Sequence, residues 1–197
     1  AEMKAALRKG VIQKTCFPVL CGAALKNVGV QKVLDAVIDL LPCPSEKSEV
    51  QGTDPRDKTK HLTRPHDHDA PFSALVFKVV SDTHGDLTYV RVYSGKLIKG
   101  QRVVNPGNGK KELASRIFEM HAKDRIPLEE ATAGNIVAVV GIKKSYTGDT
   151  LCDPDHEIIL ERMTFPEPVI SMSIEPKTQD DRRKLADALG VIRREDP

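Results

Sequence analysis

Over residues 30–41 the apolar side chains Val30, Val33, Leu34, Val37, Ile38 and Leu41 recur at helical spacing, which predicts an amphipathic α-helix stopped by Pro42 and Pro44. Before it, residues 1–10 read as a helix tail closed by Gly10. Phe17-Pro18-Val19-Leu20-Cys21-Gly22 reads as a short buried strand. Strand, glycine turn and helix in that order predict the edge of an α/β sheet whose other strands are missing, so residues 1–44 are expected to be part of a domain. Residues 45–69 hold only Val50 and Leu62 as large aliphatics. They cannot bury enough apolar surface to fold alone and are expected to form a linker.

From residue 70 to about 164 the hydrophobic period drops to two. Alternation runs through Leu75, Phe77 and Val79, through Val90 and Val92 set against Tyr89, Arg91 and Tyr93, through Val103 and Val104, around Ile117, and over residues 136–142. Turn signals separate these runs: Asp82-Thr83-His84-Gly85-Asp86, Ser94-Gly95, Lys99-Gly100, Asn105-Pro106-Gly107-Asn108-Gly109 and Tyr146-Thr147-Gly148-Asp149. The prediction is mainly β, an antiparallel barrel or sandwich, and it is the one complete domain. Residues 169–174 then predict one more strand. A charged helix follows from about Gln179, with Leu185, Leu189 and Ile192 on one side, so residues 165–197 are expected to open a further, truncated α/β domain.

Composition adds exclusions. With 40% hydrophobic and 29% charged residues the chain is globular in class. No apolar run nears the ~20 residues of a membrane span, and the start lacks the pattern of a signal peptide. The expectation is a soluble, cytoplasmic protein with no membrane partner. Cys16, Cys21, Cys43 and Cys152 show no C-x-x-C spacing, which argues against zinc and a disulfide framework and suggests reduced, mostly buried thiols. The net charge is only +2, but residues 91–116 carry seven Lys or Arg against Glu112 alone, while residues 149–161 hold five acids and no Lys or Arg. Such polarity suits an oriented contact with RNA.

The chemistry of an enzyme is not written here. A nucleotide hydrolase needs G-x-x-x-x-G-K-[ST] so that backbone amides surround the phosphates. The nearest lookalike, Gly109-Lys110, has Val104 at the first glycine position and Lys111 in place of Ser or Thr, and reads as a hairpin turn. Asp82-x-x-Gly85 matches a Mg²⁺-binding signature in letters only. His66-Asp67-His68-Asp69 offers two imidazoles and no assured third strong ligand, so no metal is assigned. His121 and His156 stand without any nucleophile motif.

Several stretches resemble translation elongation factor G. Residues 17–27 with Gly29-Val30-Gln31 resemble its fifth guanine-nucleotide motif and the helix after it. Residues 70–78, Arg91-Val92-Tyr93-Ser94-Gly95, Ala133-Gly134, 147–152 and Leu160-Glu161-Arg162-Met163 resemble its second domain. Residues 165–171, Ile174-Glu175-Pro176-Lys177 and Glu195-Asp196-Pro197 resemble the start of its third. The match is collinear over nearly the whole chain apart from the linker.

The resemblance implies a translation-factor-type β-barrel at 70–164 flanked by the tail of a GTPase domain (1–44) and the start of domain III. It implies a parent that uses GTP and Mg²⁺ for translocation of tRNA and mRNA on the ribosome, with no cofactor and no catalysis in this piece. Ala23 and Ala24 would occupy the guanine motif, with a backbone amide as its working part. The barrel would touch small-subunit ribosomal RNA through His84, Gly85, Asp86 and Arg91, and through Lys143, Lys144, Ser145 and Tyr146. Lys and Arg suit phosphates, and Tyr146 suits stacking on a base or ribose. The missing GTPase and downstream domains would be its other partners. A related ribosomal GTPase, such as a ribosome-protection factor, fits the same residues. A free-standing metal- or nucleic-acid-binding barrel is the alternative from another class.

Overall fold

Residues 2–46, 49–81, 86–122, 124–160 and 169–195 are described by the computed structural model, and they divide into two units, Ala1–Lys47 and Ser48–Pro197. In the first, α1 (Glu2–Ile12) and α2 (Val30–Leu40) are tied together by Arg8. Its guanidinium donates to both carboxylate oxygens of Glu46 at 2.7 and 2.6 Å and to the carbonyls of Asp39 and Leu41 at 3.0 Å. Helix α2 matches its predicted span. Helix α1 instead runs through Gly10, where a Cβ would lie 2.6 Å from the Cys16 sulfur, so that glycine serves a close approach rather than a stop.

Residues 17–22 do not form the expected buried strand. They are extended but outside any sheet, with Phe17 and Val19 exposed, because no described strand lies in this unit for them to pair with. The cysteines also differ from expectation: all four are free thiols, Cys21 and Cys43 are exposed, Cys16 is half-buried, and only Cys152 is buried.

The second unit is built on antiparallel sheets, the largest of them curled. Its strands are β1 (Glu49–Thr53), β2 (His61–Pro65), β3 (Ser73–Val80), β4 (Leu87–Ser94), β5 (Lys96–Ile98), β6 (Gln101–Asn105), β7 (Lys110–Ala114), β8 (Arg116–His121), β9 (Asp124–Leu128), β10 (Glu130–Thr132), β11 (Ile136–Val140), β12 (Thr150–Cys152) and β13 (Ile159–Leu160). Eight pair in the order β7-β6-β12-β3-β4-β11-β8-β9, and β5 pairs with β10. Strand β7 passes into β8 through Ser115, whose amide and hydroxyl both donate to the Val140 carbonyl at 2.9 and 2.6 Å. The partner of β6 is therefore continuous with the partner of β11, which bends the sheet into a barrel.

The barrel core contains Val76, Val79, Val90, Val92, Leu97, Val103, Ile117, Val137, Val139 and Leu151. Each such buried side chain contributes roughly 1.5–3 kcal/mol. The alternation read in β4 holds, with Val90 and Val92 inward and Tyr89, Arg91 and Tyr93 outward. In β3 it does not. A register shift between Val76 and Lys78 leaves Phe77 as an extra residue, so Val76 and Val79 point inward while Leu75 and Phe77 stay half-buried outside.

The expected linker carries structure. Strands β1 and β2 form a hairpin, and β1 also pairs with β13. Its two aliphatics, Val50 and Leu62, pack with Leu75 and Tyr93 against Val104, Cys152, Ile158 and Leu160. The segment has too little apolar surface for a core of its own and shares one on the outside of the barrel. Toward the C-terminus, α3 (Gln179–Glu195) forms as predicted, opened by Thr178 Oγ1, which accepts from the Asp181 amide at 3.1 Å. Residues 169–174 form no strand; Val169, Ile170, Met172 and Ile174 are exposed, and no described strand pairs with them.

Candidate nucleic-acid interface

The loop after β11 is built onto the β6–β7 hairpin. Glu112 on β7 is buried, and its Oε2 accepts the backbone amides of Lys143 and of Lys144, the latter at 2.9 Å, while Oε1 accepts the Ser145 hydroxyl at 2.5 Å. Asn105, fully buried at the end of β6, donates through Nδ2 to Ser145 Oγ at 3.0 Å and to Asp149 Oδ2 at 2.8 Å. The same Asp149 oxygen accepts the Tyr146 amide at 2.8 Å, and Asn108 Nδ2 donates to the Lys144 carbonyl at 2.9 Å.

This bonding fixes both the backbone and the electrostatics of residues 143–146. The buried polar groups Asn105, Glu112 and Ser145 satisfy one another, as a water-poor site requires. Glu112 directs its charge at inward-facing donors. Lys143 and Lys144 are left exposed, with Tyr146 beside them at 37% exposure. No ion pair among the described residues engages either lysine. Two cations and a ring on a pre-ordered loop can meet phosphates and stack on a base without the entropic cost of ordering the loop first.

Arg91 is placed elsewhere. It sits within β4, opposite Leu75 and Ile136, three residues or about 10 Å along the strand from Thr88. Its guanidinium carbon lies 5.4 Å from the Tyr93 ring centroid, and its Nε is buried without a hydrogen-bond partner among the described residues. It belongs to the outer sheet face and not to the loop. His84 and Gly85 lie outside the described residues. Asp86, half-buried, leads into β4 at the end of the barrel where β11 runs out into the loop, as the pair Val139–Thr88 shows.

In the first unit, the Ala23 amide donates to the Val28 carbonyl at 2.9 Å, so it is committed to a local bridge. Ala24 opens a 3₁₀ turn, Ala24–Lys26, where a leading amide has no partner within the turn. Both alanines are exposed. Gly109-Lys110 does close the β6–β7 hairpin, with Gly109 at φ +68°. That turn holds no cradle of successive amides, so these residues do not fit GTP phosphates or their Mg²⁺. His68 and His156 face one groove of about 350 Å³ with Asp69 and Asp153, whereas His66 is not among its lining residues. No group of three or more potential ligands suited to a metal occurs among the described residues.

The anchoring residues Asn105, Asn108, Glu112 and Asp149 are not evident from motifs. No sequence signal marks Glu112 either: alternation in Lys110-Lys111-Glu112-Leu113-Ala114 favours Leu113 inside, whereas Glu112 and Ala114 are buried and Leu113 is exposed.

The model for elongation factor G domain 2 matches residues 71–154. The model for elongation factor G domain III matches residues 165–197, and together the two account for more than half of the chain. The chain belongs to the elongation factor G family. A crystal structure of a protein from Thermus thermophilus superposes with a TM-score of 0.71 and 25% identity, covering 99% of this chain. The chain spans 27% of that protein's length. Elongation factor G domain 2 thus contains the barrel strands from β3 to β12, including Glu112 and the loop it holds, while the β1–β2 hairpin lies before the matched range. No helix among the described residues is long and apolar enough to cross a membrane.

Proposed function

We propose that the chain is the ribosome-contacting part of a cytoplasmic translocation GTPase that moves tRNA and mRNA, with its barrel docking on small-subunit ribosomal RNA. The observation that carries this reading is the loop of Lys143, Lys144 and Tyr146, held rigid by Glu112 and Asn105 inside a domain of the elongation factor G family. GTP and Mg²⁺ belong to other parts of such a factor, where nucleotide hydrolysis supplies the driving force. Here Ala24 supplies at most one backbone amide toward a guanine base. The work of this chain is to bind and to hold position.

The test is charge reversal of Lys143 and Lys144 in the full-length factor, with small-subunit affinity measured across a salt series. The affinity should fall, and the slope of log K against log salt should lessen by about two, since each lost phosphate contact removes about one. Unchanged affinity and slope would reject RNA contact at this loop.

A further inference from the structure

Resting on that reading, we infer that Lys110 is a third cation of the same RNA-binding rim and that its neighbour Lys111 is not. The strand register decides it. In an antiparallel pair, directly opposed residues share a face, and successive residues alternate between faces. Asn105 opposes Lys110, and Val103 opposes Glu112. Asn105 and Glu112 both reach the 143–149 loop with their side chains. Lys110 therefore lies on the loop side of the hairpin, two residues from Glu112, and it is exposed.

Lys111 opposes Val104, which packs in the outer cluster with Cys152 and Leu160, so it stands on the other face. The Asn108 bond to the Lys144 carbonyl fastens the hairpin tip, which leads into Lys110, to the loop that carries Lys143 and Lys144. No ion pair among the described residues occupies Lys110. The nearby carboxylate of Glu112 is turned inward onto amides and a hydroxyl. Three unpaired ammonium groups on a fixed rim suit the phosphates of an RNA backbone, which a lysine meets as a point charge.

The experiment compares K110E, K110R, K111E and the K143E/K144E pair in the full-length factor, each checked for an unchanged melting temperature, by small-subunit affinity over a salt series. K110E should weaken binding and lower the salt slope by about one. K110R should retain both, and K111E should leave the slope unchanged. If K143E/K144E weakens binding while K110E does not, Lys110 is excluded and the loop contact stands. If neither does, the RNA contact itself is wrong. Equal losses from K110E and K111E would overturn the assignment of faces.

Discussion

The Ser145 hydroxyl donates to Glu112 Oε1 at 2.5 Å across the gap between β7 and the loop that follows β11. Together with the two lysine amides on the other oxygen, this bond makes a buried carboxylate the anchor of a surface loop. Replacing Glu112 by Ala would strand one buried and two part-buried donors, which costs roughly 1–3 kcal/mol for each group left unsatisfied, less whatever water recovers. Urea unfolding should show Glu112→Ala destabilised by about 2 kcal/mol or more. Glu112→Gln, which keeps an acceptor, should lose less. Equal midpoints for wild type and Glu112→Ala would show that the loop does not depend on this carboxylate.

Nucleotide binding gives a second expectation. The sequence holds no glycine loop for phosphates, and the Ala23 amide is committed to Val28. Titration of this 197-residue chain with a fluorescent GTP analogue should give no saturable signal up to millimolar concentration. Saturation in the micromolar range would mean that a phosphate site has been overlooked.

Gly52 reports on the hairpin beside the barrel. A Cβ there would lie 2.5 Å from the Ile159 carbonyl oxygen and 2.7 Å from Ile158 Cγ1, a backbone contact that cannot swing aside. Gly52→Val should therefore pry β1 from β13 and cost about 1–3 kcal/mol, the usual range for overpacking. Hydrogen exchange should show faster exchange in β1, β2 and β13 while the amides of β4 and β11 stay protected. Uniform loss of protection would mean that the hairpin and barrel unfold as one.

The barrel was legible because strand periodicity and turn residues are local. Val90 and Val92 point inward as their alternation requires, and Gly109 closes the hairpin its sequence announces. Helix α2 was legible for the same reason. The β1–β2 hairpin was hidden because Val50 and Leu62 pack in a cluster completed by residues far along the chain, among them Val104, Cys152 and Leu160. A window of 25 residues with only two large aliphatics does not reveal a borrowed core. Phe77 misled because a bulge inserts one residue and flips the faces beyond it. At the candidate interface, Lys143 and Lys144 could be nominated from resemblance, but Glu112 and Asn105 emerge only when β6 and β7 are folded against the loop.

Cys152 links the shared core to pH. It is fully buried between the barrel and the hairpin, and burial pushes its thiol up from 9.0 to about 11, offset in part by a hydrogen bond involving the Ile158 backbone. The folded protein thus holds this proton more tightly than the unfolded chain. Its contribution is complete below pH 9 and is lost as the pH rises from about 9 to about 11, a window worth at most roughly 2–3 kcal/mol. The readout is a difference between two proteins, which removes the pH dependence they share. Urea midpoints measured at pH 8 and pH 10.5 should fall more steeply for wild type than for Cys152→Val, which has no proton to lose. Parallel declines would show that the thiol titrates alike in both states and that burial at this position does not hold the proton.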